Sequence, residues 1–457
     1  MICLGLDVGS TSIKGAILDL EHGDVRSVTQ VPFPAPLSGL PMGHFEIAPA
    51  AIVAAVEALV TGLLREAPSA EAIFCSGQMG GVILVDDAGA ALTNYLSWRD
   101  QRTLAPHRSA DSYLDAIRAR WSGGELAELG NELQAGSAAS LLFWLAEQNQ
   151  LTTAIPATVA DYALGRLCRV PPRMDPTQAI GLLDLRAGTW HRGALDALGL
   201  TKIRWPELVE STIPIGFLSF DGRRIACYAA LGDQQCALKG AGLKRNELSI
   251  NISTGSQVSQ RTATFEPGLY QSRPYFDGDF LNTITHLPAG RSLNVLCDLL
   301  TELTRAQGVA PANPWEYIVQ CAAAADGGGL DVDLAFFAGP LGNSGHLQGI
   351  TIENLTIGNL FHAAFRSMAD NYARCADRLF PQRVGLSIAL SGGLTRSVPI
   401  LRKLIEERLR MPLRETAAAE ETLLGLLEHA REVCLIDSRR KSVEDVDPYR
   451  GESKHDA

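Results

Sequence analysis

Basic charge is scarce in this chain of 457 residues: 40 Lys and Arg stand against 51 Asp and Glu, a formal charge of −11. That balance denies it the cationic surface on which nucleic-acid binding relies, so DNA and RNA are not expected partners. Aromatic residues are few as well, at 6%, which removes a stacking platform for single strands. The nine cysteines are scattered without close pairs, which excludes the usual zinc and dithiol motifs and reads as reduced, mostly buried thiols of a cytosolic protein. No apolar run is long enough to span a bilayer, and Met1 leads into a strand without a basic-then-apolar leader, so the expected location is the cytoplasm with no membrane partner. Long linkers and low-complexity tracts are missing too. What is present is 46% apolar residues, ample for two cores, in a length that predicts two domains of roughly 200 residues each.

The most telling feature is a repeat. Gly5-Leu6-Asp7-Val8-Gly9-Ser10-Thr11-Ser12-Ile13-Lys14 takes an apolar strand through a small-residue turn into a second strand, with Gly9 expected at positive φ. Leu248-Ser249-Ile250-Asn251-Ile252-Ser253-Thr254-Gly255-Ser256 repeats the design. Each turn converges amides and hydroxyls on one small space, which suits an anion, and two copies suit the two ends of a triphosphate.

Periodicity places a helix at 52–64 after Pro49, short strands at 73–76 and 82–86, and a helix at 138–148. Residues 150–224 show no clear period. An apolar strand at 225–231 ends at Gly232-Asp233, followed by a short helix at 234–242. Beyond the second hairpin, helices are expected at 292–303, 360–379 and 400–409, with a strand at 387–390 broken by Gly392-Gly393. The predicted domains are 1–242, carrying the first of the two loops, and 243–437, carrying the second. Residues 438–457 form a charged, frayed tail.

Asp233 is the leading catalytic candidate, because ligands of open α/β sheets gather where a strand ends and a helix begins. An N-cap role remains open beside that of a base, and Gln234-Gln235 supply amides able to orient a hydroxyl. Asp7 and Thr11 suit either a phosphate and metal site or plain turn hydrogen bonds. Lys14 either faces phosphates or is a solvated strand residue.

In this order the motifs resemble the FGGY family of carbohydrate kinases over nearly the whole length. Asp7-Val8-Gly9-Ser10-Thr11-Ser12 and Lys14 resemble its first phosphate motif, Ser76-Gly77-Gln78-Met79 its sugar loop, and Trp98-Arg99-Asp100-Gln101-Arg102 its aromatic-acidic-basic segment. Gly232-Asp233-Gln234-Gln235 resembles the catalytic segment, and Ser253-Thr254-Gly255 the second phosphate motif. Gly290 and Asn294 fall where a helix start contacts nucleotide, and Ser391-Gly392-Gly393 resembles the adenosine motif. Taken alone, Gly290, Asn294 and the Gly392-Gly393 pair read equally as helix starts and a strand-to-helix turn, and Trp98 as core packing. Asp175-Pro176-Thr177-Gln178-Ala179 is similar to a further family segment without an assigned role.

The resemblance implies an α/β fold of two ribonuclease H-like (actin/hexokinase-type) domains facing a central cleft, with ATP and Mg²⁺ as cofactors. It implies Asp233 as the base, and Asp7 with Asp233 at the metal. Sugar contacts fall to Gln78, Met79, Trp98, Asp100 and Gln234, and nucleotide contacts to Ser10, Thr11, Ser12, Lys14, Thr254, Gly255, Gly290, Asn294, Gly392 and Gly393. Many ketose kinases carry His after the Met of the sugar loop, whereas Met79 here precedes Gly80-Gly81. The lost imidazole is expected to enlarge the pocket. Residues 142–145, 231–233 and 248–254 look most like sedoheptulokinases, so sedoheptulose is the favoured acceptor, with xylulose or another ketose or polyol as the alternative. A non-catalytic ATP-binding switch of the same fold, and a polyphosphate or acyl-phosphate enzyme, are the competing readings. A homodimer is left open.

Overall fold

The computed structural model describes residues 1–309, 313–382, 387–416 and 420–444. They form two compact units, one built on Met1–Gly240 and the other on Ala241–Ala417.

The first unit is organised by strand β1 (Ile2–Val8), whose buried apolar positions put it at the centre of a sheet. It pairs antiparallel with β2 (Ser12–Asp19), which pairs with β3 (Asp24–Pro32). Helix α1 (Pro49–Glu66) begins on Pro49 and buries Ile52, Val56, Leu59, Val60, Leu63 and Leu64 along one face. It packs so closely that a Cβ on Gly15 of β2 would lie 2.6 Å from Leu63. Strand β4 (Ala70–Gly77) runs parallel to β1, setting Ser76 opposite Asp7. β5 (Pro214–Phe220) and β6 (Arg223–Tyr228) complete the order β5-β6-β4-β1-β2-β3, and the two-residue β7 (Leu231–Gly232) also pairs with β4.

The single strand expected at 225–231 is thus divided. Cys227 stands opposite Ile73 but Leu231 opposite Ser76, so four residues of one strand span three of the other. The extra residue is a bulge that ends β6 and re-aims the chain into Asp233. Helix α2 (Val159–Cys168) lies in the stretch without readable period, as do strands of two or three residues at Ile155–Ala157, Leu183–Asp184 and Thr189–Trp190. Helix α3 (Asp233–Gly240) follows β7 at once.

The second unit repeats the plan. β8 (Glu247–Ile252) and β9 (Ser256–Thr262) form the second hairpin, followed by β10 (Gln271–Pro274) and β11 (Phe280–Leu287). Helices α4 (Gly290–Ala306), α5 (Pro314–Ala323) and α6 (Ile357–Leu379) precede β12 (Ser387–Ser391), α7 (Pro399–Leu409) and β13 (Leu413–Glu415). The sheet order is β10-β11-β9-β8-β12-β13, with β12 parallel to β8 as β4 is to β1. Each unit has its own core. Phe361, Phe365, Met368 and Tyr372 of α6 anchor the second, while β1, α1 and α2 share the first.

Two expectations change here. The boundary falls at Gly240, and the last helix, α8 (Glu421–Glu444), belongs with the first unit rather than with 243–437. It packs on α3 at paired glycines: a Cβ on Gly240 would lie 1.9 Å from the Glu421 carbonyl oxygen, and one on Gly425 1.9 Å from that of Cys236. Lys239 pairs with Glu432 at 2.7 Å across the same contact. The tail expected to fray from Ser438 is helical through Glu444, and 445–457 lie outside the described residues. All nine cysteines are free thiols, seven of them buried. Among the described residues no helix is long and apolar enough to cross a membrane.

Candidate active site

In the first unit, Asp7, Gln78 and Asp233 come from the ends of three adjoining strands. Asp7 ends β1, where Ser76 donates its hydroxyl to Oδ1 at 3.2 Å. Burial, joined by the nearby Asp233 carboxylate, pushes the Asp7 carboxyl up to about 7, against the opposing pull of the Ser76 hydroxyl and the Lys14 ammonium. Asp233 is half-buried at the first position of α3 and accepts the Gln234 amide at 2.7 Å. It therefore accepts the amide of the residue that follows it and stands near enough to Asp7 to raise that carboxyl's pKa. Gln234 is buried next to it.

Gln78 is buried behind the first hairpin turn. Its Nε2 donates to the Gly9 carbonyl at 3.3 Å, and Tyr95 donates its hydroxyl to Oε1 at 3.4 Å. Met79 lies against Gly232, where an added Cβ would come 2.7 Å from its sulfur. Gly9 does not adopt positive φ, contrary to expectation; it is needed because a Cβ there would lie 2.9 Å from the Ser12 carbonyl oxygen. Ser10, exposed Thr11 and Ser12 form the turn, and Phe33 donates its amide to the Thr11 carbonyl at 2.9 Å. Lys14 is half-buried, with its Nζ paired with Glu420 at 2.6 Å.

The Trp98–Arg102 segment differs from its expected role. Asp100 is fully buried, and both carboxylate oxygens are taken: the Arg102 guanidinium binds them at 2.8 and 2.9 Å, and the Phe45 amide donates at 2.6 Å. Arg102 also reaches Glu46 at 2.7 Å. Asp100 thus anchors this loop as part of an ion-pair network rather than standing open to a hydroxyl. Trp98 is 39% exposed, so it is not core packing. Gly80 and Gly81 take φ of +80° and +66°, and a Cβ on Gly80 would lie 3.3 Å from Trp98 Cβ. The backbone here is left-handed at both glycines, with Trp98 packed against the turn.

The second unit holds a pocket of about 790 Å³, a size usual for small-ligand sites. Ser253 and Thr254 of the second hairpin line it with Gly290 and Asn294, as the sequence leads one to expect. The loop is fastened to α4, since the Gly290 and Arg291 amides donate to the Ser253 and Thr254 carbonyls at 3.1 and 2.7 Å. Gly290 admits this contact because a Cβ would lie 2.8 Å from the Ser253 oxygen. Gly255 turns the hairpin with open space around it. Gly392, at φ +97°, serves the fold: a Cβ would strike the Ile252 backbone at 2.2 Å. Gly393 faces open space, and it is Leu394 that lines the pocket.

Sequence reasoning missed Trp315, Glu316 and Gln320 on the far wall. Asn313-Pro314-Trp315-Glu316 did carry a helix-start signature, with Asn313 accepting the Glu316 amide and Pro314 at the first position. Trp315, Val319 and Leu394 give the pocket flat apolar walls, and Ser253, Thr254 and Asn294 give it hydroxyl and amide groups, so its chemistry fits a nucleoside with phosphates.

Known proteins bear on these sites. A gluconate kinase structure from Lactobacillus acidophilus superposes with a TM-score of 0.83 over 95% of this chain and 89% of that one, at 19% identity. The fold is thus that of the actin/hexokinase-type sugar kinases. The model of the FGGY family of carbohydrate kinases, N-terminal domain, matches residues 2–240. The chain belongs to that family of carbohydrate kinases. Among curated relatives it is 24% identical to the xylulose kinase of Lactococcus lactis over 64% of this chain and 60% of that protein. It is 23% identical to the mouse sedoheptulokinase over 70% of this chain and 74% of that one.

Proposed function

We propose that this protein transfers the γ-phosphoryl group of ATP to the terminal hydroxyl of a small ketose, with sedoheptulose as the favoured acceptor. The observation that carries the reading is the pair of Asp7 and Asp233 at the ends of β1 and β7, the two strands that pair with β4, close enough for one charge to raise the other's pKa. Asp233 accepts the proton as the sugar oxygen attacks phosphorus, while Gln234 orients that hydroxyl and Gln78 steadies the first turn. Two carboxylates are a hard-oxygen donor set that fits Mg²⁺ with water and phosphate oxygens completing its shell. Asp7 and Asp233 would hold the ion, whose chemistry is to neutralise phosphate charge.

The pocket bounded by Trp315 and Leu394 takes the nucleoside, with Thr254 toward its phosphates. Ketose preference rests on the sugar-loop and strand segments that look most like sedoheptulokinases, and xylulose is the alternative that the Lactococcus relative supports.

A coupled assay for ADP over ketoses, aldoses and polyols tests this directly. Sugar-dependent ADP release, highest with sedoheptulose, is expected. Slow, sugar-independent hydrolysis would instead mark an ATP-driven switch. Asp233→Asn is expected to fold and bind ATP but to lose roughly 100-fold or more in turnover. Undiminished turnover removes Asp233 from the base role.

A further inference from the structure

The segment Asp175-Pro176-Thr177-Gln178 is left without a part in the reaction as described, yet it touches both strands that carry the site. Thr177 and Gln178 are almost fully buried on one turn of 3₁₀ helix. Asp175 accepts both the amide and the hydroxyl proton of Thr177, at 2.8 and 2.6 Å. A hydroxyl has a single proton, so with it committed to Asp175 the Thr177 oxygen faces the Gly232 amide as an acceptor, at 3.0 Å. Gln178 Nε2 donates to the carbonyls of Leu231 at 2.7 Å and Gly77 at 3.0 Å. One amide group thus ties the end of β4, just before Gln78, to β7, just before Asp233.

The strands cannot fix that spacing alone. β7 has two residues, and its pairing with β4 ends on Gly232 opposite Gly77. Neither position admits a side chain, since a Cβ on Gly77 would lie 2.5 Å from Ala160 Cβ and one on Gly232 2.2 Å from Gln235 Oε1. At that glycine pair neither strand has a side chain to pack, and hydrogen bonds from a neighbouring loop bridge it. Gln178 Oε1 is buried with no hydrogen-bond partner among the described residues, so the amide is retained for its donors.

We infer that Thr177 and Gln178 are positioning residues for phosphoryl transfer, holding the Asp233 backbone at a fixed distance from the Gln78 loop. The inference rests on the proposed reading of Asp233 as the base. The test uses the full chain with Thr177→Val, Thr177→Ser and Gln178→Met, followed by steady-state kinetics, melting, and hydrogen exchange of a peptide spanning 229–240. Thr177→Val and Gln178→Met should lower kcat on the order of 10- to 100-fold with KM for ATP unchanged, as expected for a misplaced catalytic group. Thr177→Ser, which keeps both donor and acceptor, should restore most of the rate. Exchange in the peptide should be faster in Thr177→Val than in Thr177→Ser.

The inference is overturned if kcat stays at the wild-type level in Thr177→Val and Gln178→Met. It is equally overturned if losses follow melting temperature and Thr177→Ser is as damaged as Thr177→Val. If the wild type phosphorylates no sugar, the kinase reading fails by itself and exchange decides: equal rates in the Thr177 variants overturn the anchoring, and faster exchange in Thr177→Val upholds it.

Discussion

In the first hairpin Asp7 stands opposite Ser76 of the parallel strand and receives its hydroxyl proton at 3.2 Å. In the second, Asn251 stands opposite Ser391 of the corresponding strand and donates to its oxygen at 2.8 Å. The two strands then end alike, as Ser76-Gly77 and Ser391-Gly392. One skeleton has been built twice, with the direction of a single hydrogen bond reversed. A carboxylate needs donors, whereas an amide can supply one. The difference places a carboxylate near Asp233 in one unit and a neutral amide ahead of the second hairpin turn in the other. On the proposed reading, a site for metal and a site for polyphosphate ask for opposite signs, and the repeat would meet both by changing one residue.

Exchanging the two residues attacks that comparison most directly. Asp7→Asn gives the first copy the chemistry of the second and is expected to lower turnover on the order of 100-fold and to move the Mg²⁺ titration to higher concentration. Unaltered kinetics would make the charge difference incidental. The converse, Asn251→Asp, sets a carboxylate beside the pocket and should raise KM for ATP about tenfold, read in the same assay; an unchanged KM would show that the phosphates lie elsewhere.

A pH comparison sharpens the contrast. The folded Asp7 value of about 7 lies above the ordinary 3.8, so the contribution of its protonation to stability is full below about pH 3.8 and is lost as pH rises through 7. Without divalent cations, Asp7→Asn should therefore raise the melting temperature more at pH 8 than at pH 5. Equal gains at both would show that Asp7 titrates normally. The smallest effect is expected from Ser391→Ala, which removes one hydrogen bond and should cost about 1 kcal/mol in denaturant unfolding without touching turnover.

Much of this was legible from residue order. Hairpins announce themselves through alternating apolar residues around Gly, Ser and Thr, and α6 and α7 through a repeat that runs for several turns. The stretch from 150 to 224 was not, because strands such as Leu183–Asp184 are too short to show a period. Side-chain roles set by distant partners were hidden as well. Asp100 reads as an open acceptor until Arg102 and the Phe45 amide are seen to fill it, and for Lys14 neither phosphate contact nor solvent exposure foretells the ion pair with Glu420. Both partnerships depend on tertiary placement, as does the return of α8 to the first unit.

The paired glycines at Gly240 and Gly425 have a consequence for biosynthesis. α3 carries Asp233 at its head, and the helix that seals against its tail is made only after the whole of Ala241–Ala417 has left the ribosome. At about 5–20 residues per second α3 waits on the order of ten seconds or more for its neighbour, while the second unit can already collapse on its own core. A nascent chain stalled before Glu421 would therefore lack the helix that packs on α3, and the first unit is completed only once α8 has been made.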